Sequence, residues 1–325
     1  MTTALTATAV RRLQQPLQQV CARIGADASS AELIKYTMNA VFRVWPFVIR
    51  LAHGPHAATL SERIHRVAVA FEQAQVPMVR VATDIVDGPV YAGDWVGTVW
   101  RYVATVDVVP EPVDLALPLD AIHNLGPVDV ELPQWDPIAK FRRRINSARR
   151  LPAAEYADLD AWASPALEIG AGELLDLLER WCDDAEADLQ AVKWKFPTGP
   201  THGDAHTGNL LLRSFPVRPG PDPEALLCDP DGVCIGHREW DWAATAHGVT
   251  RFGRDRIAYD RLADAVGFDV TGWSGWPALA RIRELQSVTS TIDALTGRPA
   301  VADELARRIR SLQTGDTSVV WTRYH

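Results

Sequence analysis

Apolar residues recur at helical spacing from Val10 to Ile24 (Val10, Leu13, Leu17, Val20, Cys21, Ile24), a pattern that predicts an opening amphipathic helix. From residue 31 the pattern shortens. Residues 31–35, 40–44 and 47–51 are three β-prone runs separated by turn formers around Asn39 and Pro46, and they predict a strand meander whose first turn is Tyr36-Thr37-Met38-Asn39. A helical period returns over 59–74 (Leu60, Ile64, Val67, Ala68, Phe71) and Pro77 stops it. Further strands are expected at 79–82, 89–91 and 95–103. A proline-rich connection spans 109–118, and the pattern beyond it is mostly helical, over 117–125, 136–149, 172–192, 256–266, 276–295 and 301–312. The strand-like interruptions are 208–213 and 225–228, with a surface loop at 216–223 between them. There is no internal repeat. The chain is therefore expected to fold as α+β in two lobes with a cleft between them. Residues 1–104 form a small antiparallel sheet with a helix, and residues 105–325 a larger, mainly helical lobe.

Composition narrows the function more than the fold. The 325 residues are 47% hydrophobic and 23% charged, as in ordinary globular chains long enough for two lobes. The formal charge of -8 and pI near 5.6 argue against nucleic acid as the main partner, which needs a basic footprint, and weakly suit a cationic small molecule. Four cysteines without a CxxC pair indicate neither a disulfide framework nor a zinc ribbon, so a reduced cytoplasm is the expected location. No apolar run approaches the roughly 18 residues of a membrane span, and no signal-peptide segment follows the first 19 residues, so neither export nor a membrane partner is expected.

The chemistry concentrates in residues 201–212 and 226–232. Asp204 and Asn209 stand five positions apart, and Asp229 ends an apolar run about twenty residues later. A positioned carboxylate orients and deprotonates a hydroxyl, worth roughly two to four orders of magnitude in rate. A carboxamide and a second carboxylate are suited to a hard cation such as Mg2+. Together these are the parts for phosphoryl transfer. Two capped turns at Gly203-Asp204 and Gly208-Asn209 are the bland alternative, but turns alone leave His202, His206, the apolar run and Asp229 unexplained. His202 and His206 are four apart, yet Gly203 between them is a poor helix former, against an HExxH zinc site. A calcium loop starting at Asp229 fails because Trp240 holds its twelfth position. No P-loop or GxGxxG motif occurs.

His202-Gly203-Asp204-Ala205-His206-Thr207-Gly208-Asn209 resembles the HGD-x-H-x-G-N catalytic loop of the aminoglycoside phosphotransferase and choline kinase family. Cys228-Asp229-Pro230-Asp231-Gly232 and Arg238-Glu239-Trp240-Asp241 are similar to the metal-binding and following elements of that family. The resemblance implies a protein-kinase-like fold, ATP or GTP as phosphoryl donor and Mg2+ as cofactor. It makes Asp204 the catalytic residue, Asn209 and Asp229 the metal ligands, Asp241 a buried organiser of the loop and His202 a structural residue. By the same analogy, the turn at Asn39 covers the triphosphate and Arg101-Tyr102-Val103 meets the base. The chain departs from the family at two places. Arg50 stands where a strand lysine is usual, and Ile64 where the following helix carries its glutamate. Either Glu62 reaches Arg50, or Arg50 acts without a carboxylate partner.

On the acceptor side, Asp183, Asp184, Glu186 and Asp188 form an acidic cluster that reads first as a solvated helix face, while Glu239 and Asp255 lie closer in sequence to the metal segment. Trp240 and Trp273, with Trp242 and Trp276, are candidates for an aromatic substrate wall, although each alone is more often core. Arg142, Arg143, Arg144, Arg149 and Arg150 read as a solvated or bridging basic face. The expected activity is phosphorylation of a hydroxyl on a small molecule, an aminoglycoside-like antibiotic or amino sugar, cationic if the acids face it, with antibiotic resistance as the biological setting. A nucleotide-binding module with little catalysis and a metal-dependent hydrolase are the competing classes.

Overall fold

The computed structural model describes residues 7–214, 224–293, 295 and 298–324; the loop expected at 216–223 lies outside the described residues. The first half of the chain runs α1 (Ala7–Ile24), β1 (Glu32–Tyr36), β2 (Ala40–Val44), β3 (Phe47–His53), α2 (Ala57–Gln73), β4 (Val90–Ala92), β5 (Trp95–Arg101), α3 (Ala116–His123), α4 (Pro137–Arg149) and α5 (Ala153–Leu167). It continues through α6 (Ala171–Ala191), β6 (Thr198–Thr201), β7 (Leu210–Arg213), β8 (Glu224–Leu227), β9 (Cys234–His237), α7 (Glu239–Phe252), α8 (Arg256–Val266), α9 (Trp276–Thr289) and α10 (Pro299–Gln313). The expected α+β architecture is observed. By contact the chain divides into two compact units, Met1–Leu132 with Thr207–Val233 and Pro133–His206 with Cys234–His325. Residues 105–132 and 207–233 thus group with the sheet, where the sequence reading drew its boundary at 104/105.

The first unit is built on a five-stranded sheet of order β1-β2-β3-β5-β4, antiparallel at every pairing. Strand side chains alternate between faces. Ile49 and Leu51 of β3 and Val99 of β5 pack with Leu13, Leu17 and Val20 of α1, while Val48 and Trp100 pack with Ile64 and Ala68 of α2. Both faces are covered, which is why β3 and β5 read as nearly continuous apolar runs. Gly97 permits the close approach of α1: a Cβ there would stand 2.6 Å from Cγ2 of Val20. The strand expected at 79–82 does not form a ladder. Its partners lie on two sheets, with Val79 N donating to Leu227 O and Ala82 N to Val99 O, so only single bridges result, Met78 to Leu227 and Val81 to Trp100. β7 and β8 form a separate hairpin registered from Leu210–Leu227 to Arg213–Glu224.

The second unit is helical apart from the antiparallel pair β6–β9. Its core is filled by Ile138, Phe141 and Ile145 of α4, Leu174, Leu175 and Leu178 of α6, and Ile282, Leu285 and Val288 of α9, each at most 4% exposed. α5 and α7 were not expected. Pro152 and Pro165 bracket α5 as apparent stops, yet Pro165 sits inside its last turn. The start of α7 reads in the sequence as a motif without helical period. Among the described residues, no helix is long and apolar enough to cross a membrane.

Candidate active site

One cavity of about 380 Å³ in the first unit is lined by Asn39, Arg50, Arg101, Tyr102, Val103, Asn209 and Asp229, with Ile34, Val48 and Leu211 among its apolar walls. All seven residues expected to hold nucleotide or metal are therefore brought together. β3 carries Arg50, the β1–β2 turn carries Asn39, and the end of β5 delivers 101–103. Asn209 and Asp229 stand together at the open end of the β7–β8 hairpin, where Cys228 N donates to Asn209 O at 2.9 Å. At the end of β5, the N–H groups of Arg101 and Tyr102 are committed to Arg80 O and Pro46 O. Among the described residues, the Val103 N–H makes no such backbone bond. The Arg101 guanidinium pairs with Asp84, so only its backbone and stem remain for a base.

Neither expectation for Arg50 holds. Its guanidinium is paired with Asp231, and its side chain is 10% exposed. Glu62 instead accepts from the Tyr91 hydroxyl, and Ile64 is buried in the α2 core at 1% exposure. Arg63 Nη2 adds a bond to Asp231 O at 3.2 Å. Asp231 was missed as a functional residue because its partner lies 181 positions away. Its carboxyl is pushed up to about 6, first by burial and then by the neighbouring Asp229, against the pull of Arg50. Asp231 Oδ1 and Arg50 Nη1 are both buried without a hydrogen-bond partner.

Asp229 has φ 62° and ψ 63°, in the left-handed region that a non-glycine residue enters only at a cost of about 1–2 kcal/mol. Backbone strain of this kind clusters at functional sites. Among the described residues, no group of three or more His, Cys, Asp or Glu side chains stands together as a metal site. A pair of neighbouring carboxylates beside an amide is a poor cage for zinc but suits Mg2+, which is commonly held by one or two carboxylates plus substrate phosphates.

The second unit carries the start of the expected catalytic loop. Asp241, fully buried, accepts from His202 N at 2.9 Å and Gly203 N at 2.8 Å. Trp240 Nε1 donates to Gly203 O at 2.8 Å. The first turn of α7 thereby grips both sides of Gly203, whose φ of 78° needs a residue without a Cβ. His202 is fully buried within the loop. Beyond this clamp the Asp204 side chain is 43% exposed, with Oδ2 3.9 Å from His206 Nε2 and Oδ1 3.7 Å from Arg283 Nη1. Burial holds the His206 imidazole below its ordinary value, which outweighs the opposing influence of Asp204. Arg283 was missed because a charge on a helix reads as solvated; here its side chain is 14% exposed and lies over the Trp240 ring at 5.1 Å.

The expected acceptor contacts fare differently. Glu239 is fully buried, with Oε1 accepting from Lys195 N at 2.7 Å and Phe196 N at 3.1 Å, so it braces the β6 approach and presents no carboxylate to a substrate. Trp240 is 4% exposed and spent on the clamp. Asp255 caps α8 through Ile257 N. Trp273 is partly exposed and tilts against Trp194 at 5.7 Å. Trp194 in turn stacks on His237 at 3.5 Å.

A model of the phosphotransferase enzyme family matches residues 35–285, which include both motif segments and the whole sheet from β2 onward. The chain belongs to this phosphotransferase family. Among curated proteins no sequence match was found. Solved structures show the same protein-kinase-like fold in several phosphotransferases. A choline kinase from Streptococcus pneumoniae superposes with a TM-score of 0.60 at 12% identity, over 94% of this chain and 99% of that one. A spectinomycin phosphotransferase in complex with ADP and spectinomycin gives 0.56 at 13% identity, over 95% of each. An aminoglycoside phosphotransferase from Streptomyces rimosus gives 0.54 at 18% identity, over 84% of this chain and 98% of that one.

Proposed function

We propose that this phosphotransferase moves the γ-phosphoryl group of ATP or GTP to a hydroxyl of a small molecule. Asp204 would accept the hydrogen bond of the incoming hydroxyl and take its proton as the new O–P bond forms, while the bond to the β-phosphate oxygen breaks and the diphosphate leaves. Asn209 and Asp229 would hold Mg2+, whose charge, once bound, offsets that of the phosphates. Arg50 Nη1, a buried donor without a partner, is suited to a phosphate oxygen. The Val103 N–H is the backbone donor left for a base.

The observation that carries this reading is the single cavity around which Asn39, Arg50, 101–103, Asn209 and Asp229 converge. An aminoglycoside-like antibiotic or amino sugar is the acceptor that the resemblance suggests, and one solved relative is named for spectinomycin. Family membership and the Arg50–Asp231 pair favour an active enzyme over a nucleotide-binding module, since the strand cation does have a carboxylate to orient it.

The test is Asp204→Ala. Phosphoryl transfer should fall by roughly 100-fold to 10,000-fold, with MgATP affinity by calorimetry unchanged. Turnover at the parental rate would remove Asp204 from the mechanism.

A further inference from the structure

The acceptor side of the second unit is electrostatically one-sided. Arg283, on α9, has a guanidinium with five donors but a single polar partner among the described residues, Asp204, at a distance beyond a good hydrogen bond. Lys140, on α4, is exposed, forms no ion pair among the described residues, and lies within the electrostatic reach of Asp204. Arg323 acts on the neighbouring His206 in the same way. Asp204 is the carboxylate beside Arg283 and His206, and its charge also reaches Lys140.

Of the acids that the sequence offers for an ammonium group, all but the exposed Asp184 on α6 are occupied elsewhere. Asp183 and Glu186 bind Arg142, and Asp188 pairs with Arg281 at 3.2 Å. Glu239 is buried on backbone N–H groups, and Asp255 caps α8. A polycationic acceptor approaching Asp204 would meet like charge that none of these occupied acids offsets. An acceptor bearing an anion would find Arg283 beside the carboxylate that activates its hydroxyl, with Lys140 within electrostatic reach of the same carboxylate.

We infer that the acceptor hydroxyl is carried by a molecule that also bears an anionic group, a carboxylate, sulfate or phosphate, recognised by Arg283 and Lys140. The inference rests on the phosphotransferase reading and narrows its acceptor. An amino sugar is accommodated only when it also carries an acid. The partly exposed stack of Trp194 on His237, flanked by Trp135 and Trp273, supplies an uncharged face for the carbon skeleton.

The experiment uses the full chain with MgATP and acceptor sets matched except for charge: glucose, glucuronate and glucosamine; glycerol, glycerate and 3-aminopropane-1,2-diol. Binding is measured by calorimetry with MgADP present, and transfer by mass spectrometry of the added phosphate. The acid member of a set should bind and react at least about tenfold better than its amine, the scale of one charge-assisted contact. Arg283→Gln and Lys140→Gln should each lower the acid-to-neutral ratio of kcat/KM about tenfold, through KM, and Arg283→Lys should restore most of it.

Acids handled no better than amines, including sets in which no member binds, would overturn the inference. So would an Arg283→Gln variant that loses kcat equally for every acceptor, which would assign that cation to the transferred phosphoryl group. MgATP binding by the parental enzyme is recorded alongside. Its absence would sink the phosphotransferase reading itself, a different failure.

Discussion

Arg50 and Asp231 form a pair that local sequence logic could not supply. On the helix that follows β3, where the resemblance implies a partner, Ile64 is buried and Glu62 turns to Tyr91. The actual partner stands two positions from Asp229, so the cation proposed for phosphate and a neighbour of the proposed metal ligand share one contact. Asp231→Asn should weaken MgATP binding about tenfold, because a charge-assisted bond to a nearly buried guanidinium is worth about 1.5–3 kcal/mol. Titration calorimetry of the variant checks this, and unchanged affinity would deny Asp231 its orienting role. That Asn209 and Asp229 line one cavity was legible because both lie close to the ends of two short strands that pair. Glu239 was misread for the complementary reason: closeness in sequence to a site says nothing about exposure, and its carboxylate is fully buried on Lys195 N and Phe196 N.

The first turn of α7 acts as a clamp, and its contribution belongs to the element. Asp241 satisfies two consecutive loop N–H groups, while Trp240 holds the Gly203 carbonyl that follows them. Asp241→Asn replaces one acceptor oxygen by a donor against a backbone N–H. It should cost about 1–3 kcal/mol in urea unfolding and lower kcat more than it raises the KM for ATP. At the far end of the chain, Trp321 is 1% exposed, packs under Arg251 and Arg308, and donates to Ser311 Oγ at 3.1 Å. Trp321→Ala should cost about 3–5 kcal/mol by the same assay. Strands β1, β2, β3 and β5 and helix α8 were readable from period alone. α5 was not, because its prolines mimic ends, and the 79–82 segment was overread because extended chain with divided partners has the composition of a strand.

At the level of the molecule, the chain passes between the two units at 132/133, 206/207 and 233/234. No single cut yields a unit. A fragment of residues 1–132 keeps the sheet with Asn39, Arg50 and 101–103 but lacks the hairpin that brings Asn209, Asp229 and Asp231. MgATP should not bind it in calorimetry, even where circular dichroism reports sheet. The pH response is also global. His247 is 3% exposed, and burial together with Arg283, Arg251 and Arg308 holds its imidazole well below the ordinary value. The unfolded chain therefore binds more protons once pH drops below about 6.5, so stability is complete above that value and is lost on acidification, by about 1.4 kcal/mol per pH unit for each such histidine. Urea midpoints at pH 7.5, 6.5 and 5.5 should show a shallower slope in His247→Gln than in the parent.

The Arg50–Asp231 contact also bears on the history of the family. A cation on β3 needs one orienting acid, and two places can supply it, position 64 on α2 or position 231 beyond β8. Once one is filled, the other is released from selection. Across an alignment of relatives, positions 50, 64 and 231 should therefore vary as a linked set. Chains with an acid at 64 should be free to lose the one at 231, and chains with an apolar residue at 64, as here, should retain it. Independent drift at the three positions would show that the pair carries no constraint.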